Sequence, residues 1–162
     1  MPHSPEALQT WIAAVREAYV SAGDWRCWAE HAIRAVDQAP SWLLELHEAE
    51  RAKEALHALE RGLETLGVVQ RDPIVSASLR IGFAWLLHER EVLDLAEALE
   101  RGIAVIDAGQ HAGMPDRAAF HGLLLETDGG GPAIPERLSL NARAALLFAP
   151  HAELARARLQ HL

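Results

Sequence analysis

The sequence contains little cysteine and few β-branched residues. Cys27 is the single cysteine, so an intrachain disulfide is excluded and an oxidising compartment is not indicated. Only 18 of the 162 residues are Val, Ile or Thr, whereas 30 are Ala and 24 are Leu. Because Ala and Leu favour helices and β-branched residues favour strands, this composition disfavours an all-β fold or a large parallel sheet and predicts an all-α protein.

Long apolar runs and basic clusters are also missing. No stretch approaches the roughly 18 apolar residues of a membrane span, and the first residues lack the basic and apolar regions of a signal peptide. The net charge is −8, and 14 Arg with one Lys are scattered among Glu. Nucleic acids and anionic membranes are therefore disfavoured as partners. We expect a soluble cytoplasmic protein, and the preference for Arg over Lys indicates a GC-rich, bacterial genome.

The apolar residues recur at helical spacing along most of the chain. This pattern predicts one all-α domain over 1–162, a compact bundle of about six to eight helices. One long helix is predicted from Ser41 to Leu66. The Gly- and Pro-rich segment 127–135 is predicted to be a surface loop, and Pro150 is predicted to end a helix.

Two segments of the chain resemble each other. Both contain Trp-Leu-Leu, then His-Glu, then Ala-Leu-Glu-Arg-Gly; the first runs from Trp42 to Gly62 and the second from Trp85 to Gly102. The tryptophans are 43 residues apart and the Ala-Leu-Glu-Arg-Gly motifs are 40 apart, so a three-residue gap is required. Either a degenerate helical-hairpin repeat or chance similarity between helices rich in Ala, Leu, Glu and Arg explains the match.

The predicted helix from Ser41 to Leu66 carries a cluster of potential metal ligands, His47, Glu50, Glu54 and His57. On a continuous helix they share one side, and Glu54 with His57 has the spacing found in di-iron bundles. The leucines of the same helix lie on the opposite side, which favours a solvated face for the His/Glu cluster. The prediction is therefore no metal and no cofactor, with a metal site on these four residues as the alternative.

Trp25, Trp28 and Trp42 lie close together in sequence around a short connection between two helices. Tryptophans are enriched at interfaces, so an interaction or ligand pocket is one interpretation. Ordinary core packing is the other, with Asp37 or Glu45 as hydrogen-bond partners for the indole N–H groups.

Two further motifs are weak. Cys27 and His31 are spaced so that the imidazole reaches the thiol on a helix, but no third group is placed to orient them. Gly129-Gly130-Gly131 lacks the Lys-Ser/Thr that follows a phosphate loop. Since no catalytic set is assembled, the sequence favours a non-enzymatic protein that acts on a protein partner or as a homo-oligomer, as adaptors and immunity proteins do. The alternative is a metal- or small-molecule-binding bundle, with enzymatic activity left open.

Overall fold

The computed structural model describes residues 3–109, 113–129 and 134–162, with 134–138 as backbone only. This part of the chain contains eight helices and no strand, which confirms the all-α bundle and its expected number of helices. None of the described helices is long and apolar enough to cross a membrane. The helices are α1 (Pro5–Arg16), α2 (Ala22–Arg34), α3 (Ser41–Glu48), α4 (Ala52–Thr65), α5 (Pro73–Glu89), α6 (Leu95–Gly109), α7 (Arg117–Thr127) and α8 (Ile134–Leu159).

Short polar side chains cap the N-termini of several of these helices. Ser4 accepts the N–H of Ala7 at the start of α1, and Asp72 accepts two N–H groups at the start of α5. Asp116 accepts the N–H of Ala118 at the start of α7. These acceptors satisfy N–H groups that have no partner inside the helix, which fixes where each of these helices begins.

Contacts divide the chain into two compact units, and the first comprises Met1–Arg71 with Arg158–Leu162. Its core is built from the inner faces of α1 to α4 and contains Leu8, Trp11, Leu43, Leu46 and Leu59 among others. The prediction that 1–162 fold as one domain stays a prediction, because a division by contacts does not test cooperative folding.

The second unit is Asp72–Ala157, and aromatic rings fill its core. Phe83, Phe120 and Phe148 are fully buried. Phe148 stacks on Trp85 with ring centroids 4.8 Å apart and meets Phe120 edge-on at 5.0 Å. The helix α5 is apolar nearly all round and lies in this core, as its composition predicts.

The two similar segments form a helix pair in each unit, α3 with α4 and α5 with α6. The second helix of each pair is capped by a glutamate. Glu54 accepts the N–H of Arg51 at 3.2 Å, and Glu97 accepts the N–H of Asp94 at 2.8 Å. These caps are 43 residues apart, as the tryptophans are, so the three-residue gap lies between the capping glutamate and the Ala-Leu-Glu-Arg-Gly motif.

The glycines that end the two motifs have the same role in packing. A Cβ at Gly62 would lie 2.9 Å from the indole of Trp42, and a Cβ at Gly102 would lie 2.8 Å from the ring of Phe120. Each glycine therefore lets an aromatic ring lie directly on the helix backbone. The similarity extends from the sequence to capping and packing, although the aromatic ring comes from α3 in one unit and from α7 in the other.

The predicted continuous helix over 41–66 is wrong, because the chain leaves the helix after α3 and re-enters it at α4. Ala49 is extended, with φ −59° and ψ 123°. Its carbonyl oxygen accepts the indole N–H of Trp25 at 3.0 Å and the Nε–H of Arg26 at 3.1 Å. These bonds from α2, together with the cap from Glu54, replace the helical bonds lost at the break.

The predicted helix end at Pro150 is also wrong, since α8 runs through it. Pro150 cannot donate to the carbonyl of Leu146, which costs one helical hydrogen bond. Its ring lies on the exposed side of the helix, however, and the residues that pack in the core both precede and follow it in sequence. The burial that outweighs the lost bond comes from Leu140, Ala144, Phe148, Ala152 and Ala155.

The predicted loop over 127–135 is shorter than expected. Thr127 still belongs to α7, and α8 already begins at Ile134. Pro135 stands in the first turn of α8, where its missing N–H removes no helical bond. Residues 130–133 lie outside the described part of the chain.

Candidate functional site

The four candidate metal ligands do not share a helix face, because the break after α3 separates them. His47 lies on α3, Glu50 in the break, and Glu54 and His57 on α4, all exposed. Glu54 accepts the N–H groups of Glu50 and Arg51, and these backbone bonds lower the pKa of Glu54. This carboxylate is thus occupied in capping α4. Across 3–109, 113–129 and 134–162, no three His, Cys, Asp or Glu side chains cluster closely enough to hold a metal ion.

The three candidate tryptophans lie in the core of the first unit. Trp25, Trp28 and Trp42 are 4%, 9% and 3% exposed. The N–H of Trp25 is bonded to the carbonyl of Ala49, not to Asp37 or Glu45 as the sequence suggested. The ring of His3 contacts the other two, and it stands edge-on to Trp28 at 6.4 Å and to Trp42 at 5.9 Å.

His3 and Trp11 bring buried polar atoms to this aromatic cluster. Trp11 packs on Trp28 with centroids 5.4 Å apart. Both ring nitrogens of His3 and the indole nitrogen of Trp11 are buried without a hydrogen-bond partner among the described residues. Burial lowers the pKa of His3, because desolvation disfavours the charged imidazolium.

A cavity of about 250 Å³ opens beside the start of α1. Its volume is below the roughly 300–1,000 Å³ of most ligand pockets, and no tryptophan lines it. The lining residues are Ser4, Glu6, Ala7, Thr10, Arg158, His161 and Leu162.

Ser78 and His151 form a polar pair in the second unit that the sequence analysis missed. The Oγ of Ser78 lies 2.7 Å from Nδ1 of His151, and burial lowers the pKa of His151. The pair resembles a nucleophile with its base. Ser78 stands in the middle of α5, however, where neighbouring N–H groups are bonded within the helix and cannot stabilise an oxyanion. The sequence gives no signal that pairs these two residues, which are 73 positions apart.

Cys27 is exposed, and its Sγ lies 3.7 Å from Nδ1 of His31. The same nitrogen lies 2.8 Å from the carbonyl oxygen of Cys27. At that distance Nδ1 carries the hydrogen and donates to the carbonyl, so it cannot take a proton from the thiol. Gly129 lies in an exposed bend after α7, and Gly130 and Gly131 lie outside the described residues.

The helix α8 presents one row of exposed side chains in which a leucine is central. At about 100° per residue, seven exposed residues fall within an arc of about 100°. Leu146, in the middle of this row, is 77% exposed. We call the row the α8 stripe; it consists of Ser139, Ala142, Arg143, Leu146, Pro150, Glu153 and Ala157.

A second exposed apolar face adjoins the α8 stripe. Ala118, Gly122 and Leu125 lie on the outer side of α7, and Leu125 is 58% exposed. Arg143 donates two hydrogen bonds to Glu126, at 2.6 and 2.9 Å, and joins the two helices. These bonds lower the pKa of Glu126 and raise that of Arg143. The exposed faces of α7 and α8 therefore lie side by side, and we call them together the α7–α8 surface.

Comparison with protein-family models, curated proteins and solved structures gives no match to this chain.

Proposed function

We propose that this protein acts by binding another protein chain through the α7–α8 surface, as a non-enzymatic bacterial protein of the cytoplasm. Adaptors and immunity proteins, which work by covering or linking a partner, are the class it fits. The observation that carries the proposal is the exposure of Leu125 and Leu146 on two adjoining helices of one unit.

The arrangement of these leucines supports an interface. Single exposed leucines are normal on protein surfaces, whereas adjoining apolar side chains rimmed by polar groups mark interaction sites. Fully burying a leucine contributes about 1.5–3 kcal/mol, so covering both would contribute several kcal/mol to association. The ion pair of Arg143 with Glu126 connects the two helices at the edge of this surface.

Site-specific crosslinking in the cells of origin tests the proposal. A photoreactive phenylalanine analogue replaces Leu146 in the full chain, and the products are identified by mass spectrometry. We expect one discrete protein adduct, because a bound partner lies against this side chain. Ala104, exposed on α6 of the same unit, is the matched control position.

The control decides how an adduct is interpreted. An adduct formed at position 146 and not at position 104, and abolished when Leu125 is also replaced by Ser, supports the α7–α8 surface as the interface. Equal labelling at both positions, or none at 146, overturns the proposal.

A further inference from the structure

Six of the seven residues of the α8 stripe pair about the level of residue 148. Leu146 and Pro150 stand two residues before and after that position, and Arg143 and Glu153 stand five residues before and after it. Ser139 and Ala157, both small, stand nine residues to either side. A twofold axis at this level relates the helix to an antiparallel copy of itself. Each residue of a pair in one chain then faces the other residue of that pair in the second chain.

The charges of the stripe select this arrangement. Arg143 and Glu153 are separated by about 15 Å along the helix, at 1.5 Å per residue. In the antiparallel arrangement Arg143 of one chain meets Glu153 of the other, and this happens twice. A parallel arrangement would place Arg143 against its own copy and Glu153 against its own copy, which is repulsive.

We propose that the partner on the α7–α8 surface is a second copy of this chain, with the two α8 helices antiparallel about a twofold axis near residue 148. The proposal rests on the proposed function, and it names the partner. Leu146 of each chain then lies on Pro150 of the other, and the small side chains Ala142, Ser139 and Ala157 allow the helices to approach closely.

The existing ion pair of Arg143 is compatible with the second one. A guanidinium group has five N–H donors, and Glu126 accepts two hydrogen bonds from Arg143. Donors therefore remain for Glu153 of the other chain, which is exposed and lies on the same stripe. In the dimer Arg143 would connect α7 of its own chain to α8 of its partner.

Two charge-reversal variants test the arrangement by sedimentation velocity. Glu153→Arg and Arg143→Glu each place like charges together at both symmetric positions. We expect self-association of each variant to weaken by at least about tenfold relative to the wild type. When the two variants are mixed, opposite charges meet at both positions, so we expect a 1:1 heterodimer that is tighter than the self-association of either variant. Recovery in the mixture also shows that both variants are folded.

Glu100→Arg is the matched control, because it changes the net charge as Glu153→Arg does, at an exposed position of α6. This variant should associate with itself as the wild type does, and Arg143→Glu should bind it no more tightly than it binds the wild type. If both reversal variants dimerise as tightly as the wild type, the antiparallel α8 interface is overturned.

The outcomes separate this inference from the proposed function. A wild-type chain that sediments as a monomer at every concentration overturns the homodimer. If position 146 then crosslinks to a different protein, the proposed function stands with another partner. If position 146 gives no specific adduct, both fail.

Discussion

At the scale of single residues, His151 has a pH dependence that follows from its surroundings. The imidazole is half-buried between α8 and α5, beside the hydroxyl of Ser78. Burial lowers its pKa in the folded state, whereas the unfolded chain has the ordinary value near 6.5. The unfolded state therefore binds the proton first as the pH falls, and stability is lost below about pH 6.5.

We predict that the wild type loses more stability than His151→Gln when the pH is lowered from about 7.5 to about 5.5, with a difference of at most about 1.4 kcal/mol per pH unit. Urea unfolding at both pH values measures this, and Gln keeps a hydrogen-bonding group near Ser78. NMR titration of the His151 ring protons is the independent check. A midpoint at or above 6.5, or equal losses in the two proteins, would contradict the assignment.

At the scale of helices, the starts marked by a local capping residue could be predicted, whereas the break between α3 and α4 and the course of α8 through Pro150 could not. Ser4, Asp72 and Asp116 act locally, so the sequence is sufficient to place the helices that follow them. The break at Ala49 depends on two side chains of α2 that are distant in sequence, and no Gly or Pro marks it. Pro150 predicted a helix end where none exists, because buried residues before and after it in the sequence keep α8 continuous.

The crossing of α5 and α8 gives a sharp test of packing. A Cβ at Gly82 would overlap the backbone carbonyl oxygen of His151, whereas a Cβ at Gly122 of α7 would meet nothing within 4 Å. We predict that Gly82→Ala destabilises the protein by about 1–3 kcal/mol or more, because backbone cannot move aside as a side chain can.

Gly122→Ala is the matched substitution, also inside a helix of the second unit. It should stabilise the protein by about 0.5–1 kcal/mol, the gain from replacing a helical glycine. Denaturant unfolding followed by circular dichroism compares the two. A Gly82→Ala variant as stable as Gly122→Ala would refute the close approach of α5 and α8.

At the scale of the whole molecule, the sequence could predict the fold class but not the candidate site. The all-α prediction depends on helix propensity and apolar spacing over many residues, so one wrong local prediction, such as the helix end at Pro150, does not change it. The exposure of Leu146 depends on which side of α8 faces the core. The buried residues Ala144, Phe148 and Ala152 lie on one side of α8, and Leu146 lies on the other. The predicted helix end at Pro150 divided this pattern, so the sequence did not reveal that Leu146 is exposed.

The tryptophans and the His/Glu cluster were the most conspicuous candidates for the same reason. Residue type and spacing are visible in the sequence, whereas burial and the α3–α4 break depend on distant contacts. Trp25 is in the core, and Glu54 caps a helix. The exposed leucines of α7 and α8, on which the proposed interface rests, are chemically ordinary and give no comparable signal in the sequence.

The most direct test is an isotope-filtered nuclear Overhauser experiment on a mixture of labelled and unlabelled full-length chains. The account predicts intermolecular signals from the methyl groups of Leu146 in one chain to the ring protons of Pro150 in the other. Signals from Leu146 confined to its own chain would contradict the proposed interface.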